Sequence, residues 1–455
     1  MKIHFSSIAV LAICLIFSVA CSNDEYGYKI KNGTAVYNTP ERPADQISMI
    51  GFAVDPIDTV RVGFIGLGMR GPSAIDRFTH IDGVETVAIC DLYPEKLEPV
   101  QRLLERRGKA RAAEYSGEDG WKELCEREDI DLVYIVTPWL THVPMSVYAM
   151  EHGKHVAVEV PAAVSVKECW QLVNTAERTR RHCMMLENCV YDFFELTTLN
   201  MAQQGLFGEI VHVEGAYIHN LDPFWDEYQD NWRYEYNKKH RGDIYPTHGM
   251  GPACWALDIH RGDRMKTLVA MDTDAFNGKK RAQKHGEESY MNGDHTTTLI
   301  RTEKGKTIEI QHNVVTPRPY NRMYQVEGTE GFANKYPNEG FSIIEIMDGE
   351  AYVSSEMRDS LMAEYQHPIT REGSLVETAR RVGGHGGMDF IMDYRLIYCL
   401  RNGLPLDQDV YDAAEWSCLG ELTRVSIENG NIPVAMPDFT RGEWDKTDGL
   451  KLHIK

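Results

Sequence analysis

The apolar run Thr59–Gly66 (TVRVGFIG) breaks directly into Gly66-Leu67-Gly68-Met69-Arg70-Gly71, and Pro72 follows. A strand that turns through G-x-G-x-x-G into a proline-started helix admits few folds. The turn is tight, its backbone must approach a pyrophosphate, and the helix must pack on its own strand, so each glycine has a reason. The N–H groups at the helix start then face phosphate charge. Asp91 stands 25 residues past Gly66, at the end of the next apolar run. A carboxylate there accepts from the adenosine ribose and favours NAD over NADP, whose 2′-phosphate it would repel. The other reading of Asp91 is a solvated residue opening the turn Asp91-Leu92-Tyr93-Pro94. Strand, turn, helix and acid together favour the dinucleotide site.

Further apolar runs follow at Val84–Cys90, Asp131–Thr137 and His155–Val160. Helical stretches separate them: Met145–His152 closes on Gly153, and Ser165-Val166-Lys167-Glu168 is a capping-box pattern. Strands alternating with helices predict a parallel sheet covered on both faces. After about Asn188 the rhythm changes. Ile210–His219 reads as a longer strand, His295–Thr302 and Lys306–Val315 as a hairpin around Glu303-Lys304-Gly305, and Tyr324–Thr329 as another strand. Asp389–Asn402 and Val410–Glu428 return to helical spacing. The expected fold class is α/β: an N-terminal Rossmann dinucleotide-binding domain over 59–187, then a C-terminal α+β domain over 188–455 with an open, mostly antiparallel sheet.

Residues 1–20 read as an export signal. Lys2 precedes the ten-residue apolar run Ile8–Phe17, too short to span a bilayer, and Ser18-Val19-Ala20-Cys21 follows. This segment resembles a bacterial lipobox with Ser18 in place of the usual aliphatic residue, which implies lipidation of Cys21 and a membrane anchor. Ser22-Asn23-Asp24-Glu25 resembles the acidic tag of surface lipoproteins in the Bacteroidetes, so the outer membrane and cell surface are favoured over the soluble periplasm. Residues 21–58, polar and with Pro40, Pro43 and Pro56, read as a tether. The formal net charge of −20 repels phosphate backbones and argues against a nucleic-acid partner. Of ten cysteines, Cys14 lies in the signal and Cys21 would carry lipid; the other eight, without C-x-x-C spacing, read as buried thiols, and no H-E-x-x-H or clustered histidines suggest a metal. A homo-oligomer is compatible with all of this.

The motifs fall in a familiar order. Gly66–Gly71, Asp91, Thr137–His142, Glu159-Val160-Pro161, Tyr324–Gly331 and Gly384–Asp389 resemble the glucose–fructose oxidoreductase and inositol dehydrogenase superfamily. Dehydrogenases of that superfamily carry Glu-Lys-Pro where this chain has Val160, and Asp-x-Gly-x-His where alignment on Gly249 leaves Thr247 and Gly251. The replacements, Trp139-Leu140-Thr141-His142, Glu159-Val160, Tyr217-Ile218-His219, Asn231-Trp232-Arg233 and Tyr245-Pro246-Thr247-His248, resemble glycoside hydrolase family 109. That resemblance implies an NAD-dependent α-N-acetylgalactosaminidase acting on a glycan. In its mechanism hydride leaves sugar C3 for NAD, the C2 proton is removed, the C1 substituent is eliminated, water adds, and the hydride returns, with net retention. Such enzymes need no pair of catalytic carboxylates.

The resemblance implies His248 and Tyr245 as the acid/base pair. Gly66, Gly68, Met69, Arg70, Gly71, Asp91, Trp139, Leu140, Thr141, His142, Glu159, Val160, Asn188 and Tyr245 would bind NAD. Tyr217, Arg233, Tyr245, Pro246, Thr247, His248 and Tyr320 would bind substrate, with Tyr320 favoured over Tyr324. Histidine exchanges protons near neutral pH, and a phenol relays them if its pKa is lowered. Plainer roles stand beside these. Tyr217 packs in a sheet, Arg233 pairs with nearby acids, Trp139 and His142 fill a core, and His248 caps a backbone group in the loop that Tyr245-Pro246 and the flanking glycines predict. A sugar oxidoreductase and a non-catalytic surface glycan-binding protein are the competing functions.

Overall fold

The computed structural model describes residues 25–346, 351–371 and 373–454. Cys21 and the export signal lie outside these residues. Six parallel strands form the first sheet, in the spatial order Ala113–Ser116, Val84–Asp91, Val60–Ile65, Leu132–Ile135, His155–Val158 and Cys183–Met185. Chain order 3-2-1-4-5-6 is that of a Rossmann sheet, with ligands expected at the carboxyl ends beside the central order reversal. The glycine turn sits there. The helix Gly71–Phe78 begins on it, with Pro72 in its first turn. Ser165 Oγ accepts from Glu168 N at 3.2 Å and caps the helix Val166–Thr179, which buries Cys169, Val173 and Ala176 as the periodicity predicts.

The second sheet has ten strands. Ile210–Ile218 lies between Thr307–Asn313, parallel to it, and the antiparallel Asn321–Gly328. Two of its pairings are parallel and the rest antiparallel, so the sheet is mixed and mostly antiparallel. The helix Met388–Asn402 returns to the first domain. Arg77 on Gly71–Phe78 donates to its Asp393 at 2.6 Å, and Tyr134 donates to the same carboxylate at 2.8 Å. All eight cysteines among the described residues are free and buried. Among those residues no helix is long and apolar enough to cross a membrane.

Two expectations are corrected. Residues 25–58 are not a loose tether. Tyr28–Lys31 and Thr34–Tyr37 form a hairpin whose second strand pairs with Val434–Ala435 at the edge of the ten-stranded sheet. Arg42 then reaches the fully buried Glu177 at 3.1 Å and Glu443 at 3.0 Å. The hairpin was hidden because its partner strand is some 400 residues away in sequence and only two residues long. The loop predicted around His248 is instead the first turn of a helix, Thr247–Ala256.

Glu177 also accepts from Arg441 at 2.7 Å and from Tyr411 at 2.6 Å. Removing a buried carboxylate leaves its cations uncompensated. Glu177→Ala should therefore destabilise the protein by about 3–5 kcal/mol, read as a lowered urea midpoint; an unchanged midpoint would show that the N-terminal segment is not pinned this way.

Candidate active site at the domain junction

Gly66 has φ of +97° and a Cβ there would lie 2.4 Å from the Val136 carbonyl oxygen; one on Gly71 would lie 2.1 Å from the Gly66 oxygen. Only glycine fits either place. A Cβ on Gly68 would meet no protein atom within 4 Å, so packing does not require that glycine, as expected of the position where a pyrophosphate approaches. Asp91 Oδ2 accepts from Leu67 N inside the turn at 2.6 Å, and Oδ1 from Tyr93 N at 3.0 Å. The acid thus also braces the glycine turn. Met69 is exposed beside it. Arg70 reaches Glu159 at 3.5 Å and Asp389 at 3.3 Å. Asn188 donates to the same Asp389 at 2.5 Å. These residues fit a dinucleotide laid across the strand ends.

The other expected cofactor residues divide. Leu140 is exposed, Thr141 donates to Thr137 Oγ1 at 2.8 Å, and Val160 is buried with its N–H on Glu159 at 3.2 Å. The His142 side chain is fully buried, with Nδ1 2.8 Å from the Pro161 carbonyl and Nε2 2.7 Å from that of Thr137. Burial lowers its pKa. It links the backbone after two strands, at Thr137 and Pro161. Trp139 is both core and site: its ring stacks on Tyr245 at 5.5 Å.

Glycine also builds the catalytic half. A Cβ on Gly249 would lie 2.6 Å from Ala216 N, and one on Gly215 would lie 2.5 Å from the Gly249 oxygen. Helix Thr247–Ala256 therefore rests backbone-to-backbone on the strand Ile210–Ile218. Gly251 likewise makes room for Glu187, whose Cγ would lie 2.8 Å from an added Cβ. This approach sets His248 beside Tyr217, with ring centroids 5.4 Å apart.

Glu187 is the residue that sequence reasoning missed. It is completely buried and holds His248 Nδ1 at 2.8 Å. Burial would raise its pKa, but the His248 ring beside it and its hydrogen bond, with Cys189 N, bring it below the ordinary value. With Nδ1–H on Glu187, the Nε2 lone pair faces Tyr245 Oη at 3.3 Å. The result is a Glu187–His248–Tyr245 relay. Cys189 lies close enough to join Glu187 and His248 around an ion, but burial holds its thiol well above the usual range and its Sγ already engages Asn188 Oδ1. Burial also pushes the Tyr245 phenol well up, against the opposing effect of Arg233. The phenol expected to be lowered is instead raised, so Tyr245 stands as a neutral hydroxyl beside Nε2.

A second relay stands beside the first. Arg233 donates to Tyr228 Oη at 2.7 Å and to Tyr217 Oη at 3.4 Å, and Tyr217 Oη lies 3.1 Å from His219 Nδ1. Among the described residues Arg233 meets phenols and rings rather than an acid; its guanidinium lies 4.5 Å from the Tyr245 ring centroid and 5.3 Å from that of Trp139. Burial, then Arg233, push His219 down to about 4, so its imidazole is neutral. Pro246 and Thr247 are buried at the helix start, and the Thr247 hydroxyl has no protein partner. Tyr320 is 43% exposed beside His219, whereas Tyr324 is buried against Phe194. The structure thus brings Tyr217, Arg233, Tyr245, His248 and Tyr320 together.

Fold and cofactor turn define an NAD-binding protein with an oxidoreductase-type Rossmann domain and a cluster of histidine, tyrosine and arginine side chains on its second sheet. Two family models match: "Oxidoreductase family, NAD-binding Rossmann fold" over residues 60–187 and "Glycosyl hydrolase 109, C-terminal domain" over 191–446. The chain belongs to glycosyl hydrolase family 109, a glycoside hydrolase family, and NAD is its cofactor. It is 61% identical to glycosyl hydrolase family 109 protein 1 of Bacteroides thetaiotaomicron over 439 residues, 93% of this chain and 94% of that one. It is 59% identical to a family 109 protein of Porphyromonas gingivalis over 459 residues, 97% and 98% of the two chains. Among solved structures, levoglucosan dehydrogenase with NADH and levoglucosan superposes with a TM-score of 0.64 at 17% identity, covering 83% of this chain and 99% of that one. An inositol dehydrogenase homologue with NAD+ from Azotobacter vinelandii gives 0.62 at 19%, covering 84% and 99%. These two share the fold.

Because the Glu187 pKa is lowered on folding, its contribution to stability is present above the unfolded carboxylate value, about 4.3, and is lost as pH falls through the folded one. Wild-type protein should be more stable than Glu187→Gln at pH 7, and the two melting temperatures should converge toward pH 3. A gap that stays constant across this range would show that the pair does not carry the difference.

Proposed function

We propose that the protein removes terminal α-N-acetylgalactosamine from glycans with retention, by oxidation at C3, elimination across C1–C2, addition of water and reduction at C3. The observation that carries this reading is the Glu187–His248–Tyr245 relay beside an acid-free buried arginine, in a family 109 chain. Bound NAD supplies a hydride acceptor that can give the hydride back. The chain's own residues do the rest. Glu187 fixes the His248 tautomer, so Nε2 is free to take the C2 proton once C3 is a ketone. The imidazolium formed is paired with the buried carboxylate. Tyr245 and Tyr217 offer phenolic O–H donors, and Arg233 behind them stabilises negative charge that develops on a sugar oxygen in a site shielded from water. Val160, apolar and buried, has no proton to exchange, which disfavours the net oxidoreductase reading.

The same reading places the enzyme outside the cytoplasm, held at the outer membrane through lipid on Cys21. Mass spectrometry of the mature N-terminus should find an acylated Cys21, and Cys21→Ser should release the protein into the soluble fraction. An unmodified or internally cleaved N-terminus would remove the anchor.

His248→Ala should lower kcat by about 10²–10⁴ while NAD titration is unchanged. With wild-type enzyme in D₂O, deuterium should appear at C2 of the released sugar, and substrate deuterated at C2 or C3 should turn over more slowly. Absence of both the exchange and the isotope effects would end the elimination mechanism.

A further inference from the structure

Beyond Tyr217 the site continues into a line of rings that the reaction itself does not use. The strand Ile210–Ile218 runs on into His219–Leu221, laced to the neighbouring strand's extension by His219 N on the Asn313 oxygen at 2.9 Å and Leu221 N on the Val314 oxygen at 2.8 Å. Phe224 follows on a tight turn, its N–H on the Leu221 oxygen at 2.8 Å, with Trp225 fully buried beneath. His219 is the hub. Its ring centroid lies 5.9 Å from Phe224 and 5.1 Å from Tyr320, which meets it at 89°; Tyr320 lies 6.3 Å from Tyr336 at 71°. Phe224 is 40% exposed and Tyr320 43% exposed.

Exposed aromatic surface contiguous with a site marks a binding surface for a ligand with matching apolar faces. The C–H faces of sugar rings are such partners. The surroundings select among glycans. Asp222, Asp226 and Glu227 are exposed around Phe224, and the cations beside the rings are engaged: Arg281 by Asp222 at 2.8 Å and Asp226 at 3.2 Å, and Arg322 and Lys335, which lie over the Tyr336 ring, by Glu195 at 3.0 Å and 2.5 Å. His219 is neutral, and the chain as a whole carries −20. Acidic sugars are repelled and neutral ones accepted.

We propose that Phe224, Tyr320 and Tyr336, grouped around His219, form a platform for the neutral sugars that carry the terminal residue, so that the enzyme recognises an extended glycan. The proposal rests on the glycosidase reading above and adds a second binding region to it. The cleaved sugar lies against Tyr217, Arg233 and His248, and the next sugars outward stack on the exposed Phe224 and Tyr320, with the half-buried Tyr336 at the edge.

The test compares two substrates: methyl α-N-acetylgalactosaminide, and a trisaccharide in which the same sugar is α-linked to two neutral hexoses. Wild-type enzyme should show a kcat/KM at least tenfold higher on the trisaccharide. Phe224→Ala should erase roughly tenfold of that advantage through KM, the usual scale for truncating an aromatic anchor, and leave the methyl glycoside within about twofold. Phe224→Trp should restore it. In parallel, the disaccharide of the two hexoses is titrated calorimetrically into wild type and Phe224→Ala; binding should be weakened in the variant. If both substrates fall together, if neither changes, or if the disaccharide binds the two proteins equally, the platform is refuted. If wild type cleaves neither substrate, the glycosidase reading falls, and the disaccharide titration still decides the platform.

Discussion

The site depends on one contact made without side chains. Helix Thr247–Ala256 meets the strand Ile210–Ile218 through Gly249 and Gly215, with backbone atoms where Cβ atoms would otherwise stand. Side chains at these two points would hold the helix away from the sheet, and His248 would no longer share one small volume with Tyr217 and Tyr245. Gly251 extends the same economy to Glu187, which belongs to the other domain. Two glycines in one helix, with Pro252 after them, are a poor choice for helix stability, each glycine at roughly 1 kcal/mol against alanine. The helix is retained because it is buried against the sheet, where packing outweighs propensity.

That trade explains what could be read from the sequence. The Rossmann part was legible because its signals are local: an apolar run, a glycine turn, a proline and an acid at the next strand end. The capping Ser165 and the free buried cysteines were legible for the same reason. The strand Cys183–Met185 has no β-branched residue and only three positions, so it left no pattern. The helix at His248 was misread as a loop because Pro246, Gly249 and Gly251 are local breakers whose purpose is tertiary. Glu187 was invisible for a related reason. Nothing in its neighbourhood distinguishes an acid that will meet a histidine 61 residues on. His142 erred in the opposite sense: its motif suggested a cleft residue, and burial turned it into a strut.

Electrostatically the pocket is unusual in keeping a cation and its carboxylate apart. Glu187 faces His248, while Arg233 faces only phenols and aromatic faces. Pairing Arg233 with an acid would neutralise the charge before any substrate arrived. Rings hold the guanidinium by cation–π attraction, and phenol oxygens accept from two of its nitrogens without cancelling the charge. The desolvated cation keeps its field for an oxyanion, and burial, helped by the same field, holds His219 neutral at the rim.

The hairpin at the edge of the large sheet bears on geography. An anchor at Cys21 would stand only five residues before Tyr26, whose side chain already packs against the core. Five peptide steps reach at most about 18 Å when fully stretched. A catalytic body on so short a lead would not sweep the space around a cell. It would graze a thin layer at the membrane, so a glycan would have to be brought to that layer by diffusion, or by other proteins, before the active site could reach it.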